Sequence, residues 1–396
     1  MNYFSSDFKL GILGGGQLGK MLLCETRKFD IQTFVLDPSH EAPSRLACNN
    51  FFQGDLLDFD TVYQFGKLVD LLTIEIENVN LDALEKLEKE GLKVYPSPKT
   101  LRLIQSKAIQ KEFYIKNNIP TAKGKAFKNL KELLVEFMEG KLKMPFVWKC
   151  TRFGYDGNGV KIIRSAKDIE TLPDVECIME ELVPFKNELA VIVVRNPKGD
   201  VKTYPVVEME FHPEANQVEY VICPARIDLP IVLKAQEIAL KVSKAYNHVG
   251  ILAVELFQTE DDEILVNEVA PRPHNSGHYS IEASYTSQFE NHLRAILNLP
   301  LGNTSSKVAG IMVNLVGEEG FEGQVVYENI EKIMAINGVT PHIYGKRETR
   351  PFRKMGHVTI VNEDMVEARK IAEEVKNSIR VISLPNPSKG GTFENI

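Results

Sequence analysis

Gly14-Gly15-Gly16-Gln17-Leu18-Gly19 reads G-x-G-x-x-G and stands between an apolar run at Leu10 to Leu13 and a helical pattern from about Gln17 to Phe29. That placement constrains the chain more than any other feature. A strand must end in a tight turn and deliver a helix N-terminus, with glycine where the backbone turns or a ligand comes close. A second strand at Thr33 to Leu36 ends at Asp37 and completes a βαβ unit. The motif alone permits three readings. A nicotinamide dinucleotide could lie on the turn with Asp37 on its ribose. Another phosphorylated or polar ligand could use the same amide groups. Or the turn is only a close strand-to-helix connection. Gln17 favours the second, because a polar side chain projecting from the turn can bond a ligand directly.

The alternation continues with an apolar run at Leu71 to Ile76, a helix near Leu81 to Glu90 and a strand at Lys93 to Tyr95. Pro96-Ser97-Pro98 then breaks it, so a first domain over 1–98 is expected. Helical periodicity runs from Thr100 to Lys116, and β-rich segments follow around 146–163, 188–194 and 203–211. This predicts a second, α+β domain over 99–302. Its last helix, around Phe289 to Leu297, carries a capping-box signature in Ser287 and Glu290 and meets a breaker at Pro300 to Asn303. The rest, 303–396, reads as a small β-rich domain with one helix near Met365 to Val375.

A length of 396 residues with 43% hydrophobic content suits two to three such cores. Lys and Arg number 47 against 54 Asp and Glu, a net charge of −7 without long basic runs, which argues against coating nucleic acid or a membrane surface. No apolar run approaches the ~18 residues of a spanning helix, and the first ten residues lack a signal-peptide layout. A soluble, cytoplasmic protein is expected. Cys24, Cys48, Cys150, Cys177 and Cys223 are odd in number and lack a CxxC pair, so they read as small buried hydrophobes rather than a disulfide framework or zinc knuckle.

Two further segments carry chemistry. Phe146 to Lys149 reads as a strand ending in a lysine, and Arg152 to Gly159 follows as a glycine-rich loop (Gly154, Tyr155, Asp156, Gly157, Asn158, Gly159) before a strand at Val160 to Ile163. Such a strand, loop and strand make either an ordinary hairpin or a flap whose amides approach phosphate oxygens while Lys149 supplies charge. Farther on, Ile251 to Phe257 and Ile264 to Val269 are two strands joined by an acidic turn. If Asp261-Asp262 form a two-residue turn, Glu255 lies directly across from Glu268, two carboxylates about 5 Å apart on one face. A hard divalent cation such as Mg²⁺, with Mn²⁺ as a substitute, would resolve their repulsion, and Asn267 could join them. The alternative is two solvent-facing glutamates on an edge hairpin.

Pro271-Arg272-Pro273-His274-Asn275-Ser276-Gly277-His278 is a rigid turn dense in hydrogen-bonding groups, and no helix would hold its two histidines for zinc. Tyr344 to His357 concentrates cations, among them Lys346, Arg353 and Lys354.

Taken in order, the GYDGNG flap, Glu255 with Asn267-Glu268, and the RPHNSGH turn resemble the ATP-grasp superfamily, specifically its 5-(carboxyamino)imidazole ribonucleotide synthase family. The resemblance covers nearly the whole chain. It implies an ATP-grasp fold of mixed α/β and α+β class: a Rossmann-like pre-ATP-grasp domain, an ATP-grasp body with a flap subdomain at about 120–183, and a small C-terminal β-rich domain. It also implies a homodimer and a ligase that joins 5-aminoimidazole ribonucleotide to bicarbonate at the expense of ATP through carboxyphosphate. By the same resemblance Lys107, Lys149 and the flap from Gly154 to Val160 contact ATP phosphates, with Asn267 and Glu268 beside them and metal on Glu255 and Glu268. Glu180, Glu181, Leu182 and Val183 form the adenine hinge, and Glu188 meets the ribose. Gln17, Leu18, Glu75, Tyr155, Asp156, Asn275, Lys346, Arg353 and Lys354 form the ribonucleotide site. Arg272, His274 and Asn275 border bicarbonate, with Tyr155, Asp156 and Lys346 also in the catalytic set. Two positions depart from the family: Lys107 stands where arginine is common, and Val160 where glutamine is.

Three rivals remain at this stage. The formate-using glycinamide ribonucleotide transformylases share the flap, the carboxylates and the cations, but their turns usually read GELG and RPHDTG. An NAD-dependent oxidoreductase accounts for Gly14 to Gly19 and Asp37 but leaves Glu255, Glu268 and the second glycine loop unused. A nucleotide-sensing binding protein has no need of RPHNSGH.

Overall fold

The structure is a computed structural model describing residues 3–152, 159–212 and 217–384. The first domain is a five-stranded parallel sheet of Asn50–Gln53, Gln32–Asp37, Lys9–Leu13, Leu71–Ile74 and Lys93–Tyr95, spatial order 3-2-1-4-5 counted along the chain. Both faces are covered, so its central strands are continuous apolar runs: Leu10, Ile12, Leu71 and Leu72 are fully buried. The order reverses between Lys9–Leu13 and Leu71–Ile74. In such sheets ligands bind outside the carboxyl ends of the strands that flank the reversal. Here those ends carry the glycine turn and Glu75. The strand Asn50–Gln53 and the helix Phe59–Gly66 are additional to the elements read from the sequence.

The expected helix from Thr100 to Lys116 is two helices, Pro98–Ile104 and Lys107–Lys116. Each starts at its own serine cap: Ser97 accepts from Thr100 N–H and Ser106 from Ile109 N–H. The break places Lys107 at the first turn of the second helix. Ser287 likewise caps the helix Gln288–Ile296 through Glu290 N–H at 3.0 Å, but the Glu290 carboxylate pairs with Lys28 and Arg294, so only half of the expected capping box is visible.

A four-stranded antiparallel sheet, ordered Gly124–Phe127, Cys177–Glu181, Phe146–Cys150, Val160–Ile163, forms the flap subdomain. The body is a nine-stranded sheet whose strands Phe185–Arg195, Gly250–Thr259 and Ile264–Ala270 lie at one end. Its strand Val218–Cys223 pairs with Ala309–Val316, which in turn pairs with Lys354–Asn362. The C-terminal unit therefore shares its main sheet with the body. Its helix Met365–Ser378 buries Ala368, Ala372 and Val375 against that sheet. No helix among the described residues is long and apolar enough to cross a membrane.

Candidate active site

The hairpin carrying Glu255 is not closed by the two-residue turn its sequence suggests. Thr259 N–H bonds Glu263 C=O at 2.9 Å across a three-residue loop, with Asp262 in the left-handed region at φ 61. This sets Leu256 against Val266, a register that by itself would misplace the carboxylates. A bulge between Val254 and Leu256 corrects it, so that Asn267 and Glu268 together oppose Glu255 before Val254 pairs with Val269. The extra residue also breaks the side-chain alternation. Ile264, Val266 and Val269 face the core, while Asn267 and Glu268 both face the cleft. The turn reading was wrong, yet the expected pairing survives because the bulge compensates.

Around this bulge the charges are interlocked. Lys107 Nζ lies 2.5 Å from Glu268 Oε2. Lys149 Nζ donates to Asn267 Oδ1 at 3.0 Å and pairs with Glu180 Oε2 at 2.8 Å. His274 Nε2 is 3.4 Å from Glu255 Oε1, and His274 Nδ1 is 3.0 Å from Ser276 Oγ. Burial pushes the Glu255 carboxyl well above its ordinary range, and repulsion from Glu268 and then Glu188 adds to it. Lys107 holds Glu268 below its usual range. Glu188 is pushed up to about 8 by burial and by Glu268, with Lys149 opposing. Glu188, Glu255 and Glu268 thus share one cleft with Lys107 and Lys149, and burial raises the first two.

Glu180 and Glu181 end the flap-sheet strand Cys177–Glu181. The Glu180 carboxylate is spent on Lys111 and Lys149, and Glu181 N–H bonds Lys123 C=O at 2.8 Å. Leu182 and Val183 connect the two sheets, and among the described residues no main-chain acceptor takes Val183 N–H. Val160 sits opposite Lys149 in the flap sheet, and Gly159 has φ +81. Gly154, Tyr155, Asp156, Gly157 and Asn158 lie outside the described residues.

The glycine turn closes on itself. Asp37 accepts Gly15 N–H at 2.7 Å and Ser39 N–H at 2.7 Å, so its carboxylate is engaged within the fold rather than presented to a ribose. Glu75 accepts Gly19 N–H at 2.8 Å, and a Cβ on Gly16 would lie 2.4 Å from Glu75 Oε1. Glycine is required there because the carboxylate sits directly under the turn. Leu18 is packed in the core, leaving only its main chain to face a ligand. Gln17 opens the helix Gln17–Lys28 and is half-buried.

The C-terminal segment at Ile343 and Gly345 packs beside the first helix. Lys20, which no local motif marks, donates from the first helix to Ile343 C=O at 2.8 Å. Its Nζ lies 3.3 Å from where a Cβ on Gly345 would stand. Lys346 donates to Lys354 C=O at 2.6 Å, and Arg353 NH1 to Glu348 C=O at 2.6 Å. The field of Lys354 reaches Glu255 and opposes its upward shift. Arg272 is tied to Glu77, beside Glu75, at 2.9 Å. Asn275 Nδ2 is buried with no partner among the described residues. Gln288, also overlooked in the sequence, clamps the turn by accepting His274 N–H at 2.9 Å and donating to His274 C=O at 2.7 Å. All three domains line one cleft.

Family models match three successive stretches of the chain. The family model for the ribonucleotide synthetase preATP-grasp domain matches residues 8–105, that for the ATP-grasp domain 112–289, and that for the phosphoribosylaminoimidazole carboxylase C-terminal domain 310–371. N5-carboxyaminoimidazole ribonucleotide synthetase from Thermotoga maritima is 44% identical with a TM-score of 0.87, over 95% of this chain and 100% of that one. The chain belongs to the N5-carboxyaminoimidazole ribonucleotide synthase family. A synthase of this family from Aspergillus clavatus, solved with ADP and 5-aminoimidazole ribonucleotide, is 34% identical with a TM-score of 0.85, covering 94% and 98% of the two chains. Phosphoribosylaminoimidazole carboxylase of Saccharomyces cerevisiae is 38% identical over 91% of this chain, and the chain spans 65% of that longer protein. The fold is accordingly ATP-grasp with its pre-ATP-grasp and C-terminal domains. Membership in the synthase family displaces the transformylase and oxidoreductase alternatives.

Proposed function

We propose that this chain joins 5-aminoimidazole ribonucleotide and bicarbonate, converting ATP to ADP and phosphate and giving N5-carboxyaminoimidazole ribonucleotide for purine biosynthesis. The observation that carries this reading is the convergence on one cleft of the glycine turn with Glu75, the RPHNSGH turn, and the lysines around Glu268. In this reading Lys107 and Lys149 hold ATP phosphates, and the Leu182-Val183 connection and Glu188 hold the nucleoside. Bicarbonate attacks the γ-phosphoryl group. The resulting carboxyphosphate delivers its carbon to the exocyclic amine between Arg272, His274 and the unpartnered amide of Asn275, whose donors suit an anion.

A divalent cation fits the donor set. Glu255 and Glu268 face each other across the bulge with the Asn267 amide beside them, a set of oxygen donors that suits a hard divalent cation. When bound, Mg²⁺ or Mn²⁺ would offset the phosphate charge. The residues holding it would be Glu255 and Glu268. A homodimer acting in the cytoplasm completes the proposal.

The test is phosphate release from ATP with each substrate omitted in turn. Release that needs both 5-aminoimidazole ribonucleotide and bicarbonate is expected, and release indifferent to the ribonucleotide would overturn the reading. Lys149→Met should weaken ATP binding about 10- to 100-fold in calorimetry, since a hydrogen bond to a charged group is worth about 1.5–3 kcal/mol. Normal ATP affinity would contradict the role given to Lys149.

Arg353 is assigned to the ribonucleotide phosphate because a guanidinium can grip it with two parallel hydrogen bonds, which an ammonium cannot reproduce. Arg353→Lys should therefore raise KM for the ribonucleotide by about tenfold, the loss of one such bond, and leave KM for ATP nearly unchanged. Steady-state kinetics with each substrate varied decides it. A defect confined to ATP would move these cations to the nucleotide.

A further inference from the structure

Cys150 and Cys177 are 27 positions apart in sequence but directly opposite each other in the flap sheet. Hydrogen-bond parity fixes what kind of pair they are. Cys150 N–H bonds Gly159 C=O at 2.8 Å on the far side of its strand, whereas the next residue, Thr151, bonds Glu176 C=O at 3.1 Å toward the strand of Cys177. Cys150 and Cys177 therefore form a non-hydrogen-bonded antiparallel pair, the kind in which Cα atoms approach to about 4.5 Å and side chains are closest. That separation lies inside the roughly 4.4–6.8 Å range of disulfides. Both side chains are on the face away from Lys149, in the same small core, and both thiols are free.

Access differs between the two. Cys177 is buried, while half-buried Cys150 lines a pocket of about 470 Å³ with Trp148, Arg152, Lys161 and Leu172. Cys150 Sγ donates to Arg152 C=O at 3.1 Å, at the start of the glycine loop. The two strands also carry the nucleotide-side charges, Lys149 next to Cys150 and Glu180 three residues after Cys177.

We propose that Cys150 and Cys177 are a redox-active pair that closes to a cross-strand disulfide under a disulfide oxidant and thereby weakens ATP binding. The Cys150 thiolate attacks one sulfur of oxidised glutathione and expels one glutathione thiolate. Cys177, giving its proton to solvent, then attacks the Cys150 sulfur of the mixed disulfide and expels the second. Two protein thiols are oxidised and one glutathione disulfide is reduced to two thiols. Burial pushes the Cys177 thiol up to about 11, which makes it the resolving partner and the exchange slow. Closure draws Cys150 Sγ away from Arg152 C=O and so disturbs the root of the glycine loop beside Lys149.

The test uses the full reduced chain incubated with oxidised glutathione at about pH 8, trapped with N-ethylmaleimide, digested without reduction and mapped by mass spectrometry. A peptide bridging Cys150 and Cys177, removed by dithiothreitol, is expected. Cys177→Ser should instead retain glutathione on Cys150, and Cys150→Ser, at the more accessible position, should give no bridge. A persistent glutathione adduct on wild-type Cys150, or modification of exposed Cys24 with none at Cys150, overturns the site. This chemical arm reads no turnover, so it stands apart from the proposed carboxylation. In calorimetry the bridged protein should bind ATP at least threefold more weakly than the reduced protein, with recovery on reduction. Equal affinities would overturn the link to the nucleotide side.

Discussion

Glu268→Gln is expected to lower ATP turnover about a hundredfold or more while the chain keeps its fold, in line with the loss of a single electrostatic group aimed at a phosphoryl transfer. The fold should survive, because the substitution preserves shape. The glutamine carbonyl still accepts from Lys107, now 2.5 Å from Glu268 Oε2, and the bulge that turns position 268 to the cleft is set by main-chain pairing. Turnover should fall, because the substitution removes a charge. Lys107 no longer has its counter-charge, and Glu255, raised partly by repulsion from Glu268, is relieved of it. One carboxylate then remains where two faced each other, which suits neither a divalent cation nor the present balance against the lysines. Phosphate release measured across Mg²⁺ concentrations, with thermal unfolding as the control, decides the matter. Unchanged turnover at limiting Mg²⁺ would sink the metal assignment.

The sequence marked the glycine turn and the opposed strands around Glu255, but not how their side chains are held. Glycines and apolar runs are local signals, so the first βαβ unit and the opposed strands around Glu255 were legible. The bulge was not, because a strand read at period two has no way to show that Asn267 and Glu268 share a face. Asp37 was misleading for a related reason. A carboxylate at the end of a second strand can serve a ribose or brace the turn, and only the 2.7 Å contact to Gly15 N–H shows that it braces. The break at Ser106 was hidden inside a periodic helical pattern, although a serine there offers a cap. Lys20 and Gln288 escaped because their partners, Ile343 and His274, are distant in sequence, and nothing in their own neighbourhoods marks them. The missed strand Asn50–Gln53 is short and half-exposed at the sheet edge, where hydrophobic patterning is weakest.

The other large effect is expected at Glu180, whose carboxylate stands between two ammonium groups with its side chain only 7% exposed. Lys111 meets one oxygen at 2.5 Å and Lys149 the other at 2.8 Å, and Lys111 also donates to Thr121 Oγ1 and Ala122 C=O at 2.8 Å each. Burial lowers the Lys111 ammonium despite its partner, so this group carries much of the desolvation cost. Removing the carboxylate leaves two buried cations facing each other, a change typically worth about 3–5 kcal/mol. Glu180→Leu should therefore destabilise the chain by about that amount in urea unfolding at neutral pH and weaken ATP binding, because Lys149 keeps only Asn267 to place it. The pH dependence has a definite sign. The lysines hold the Glu180 carboxyl below its ordinary value in the folded protein, against the cost of burial. Its stabilising contribution is thus present above the ordinary carboxylate range of about 4.3 and is lost as pH falls through the lowered folded value. The gap between wild type and Glu180→Leu should narrow in acid. Adding Lys111→Met to Glu180→Leu should restore part of the stability, since an apolar pair of similar volume replaces one of the two uncompensated charges. ATP affinity should stay low in the double variant, because Lys149 still lacks its carboxylate. If stability fails to recover, the Glu180 defect lies in packing; if ATP affinity returns with it, Lys149 does not depend on Glu180 for its position.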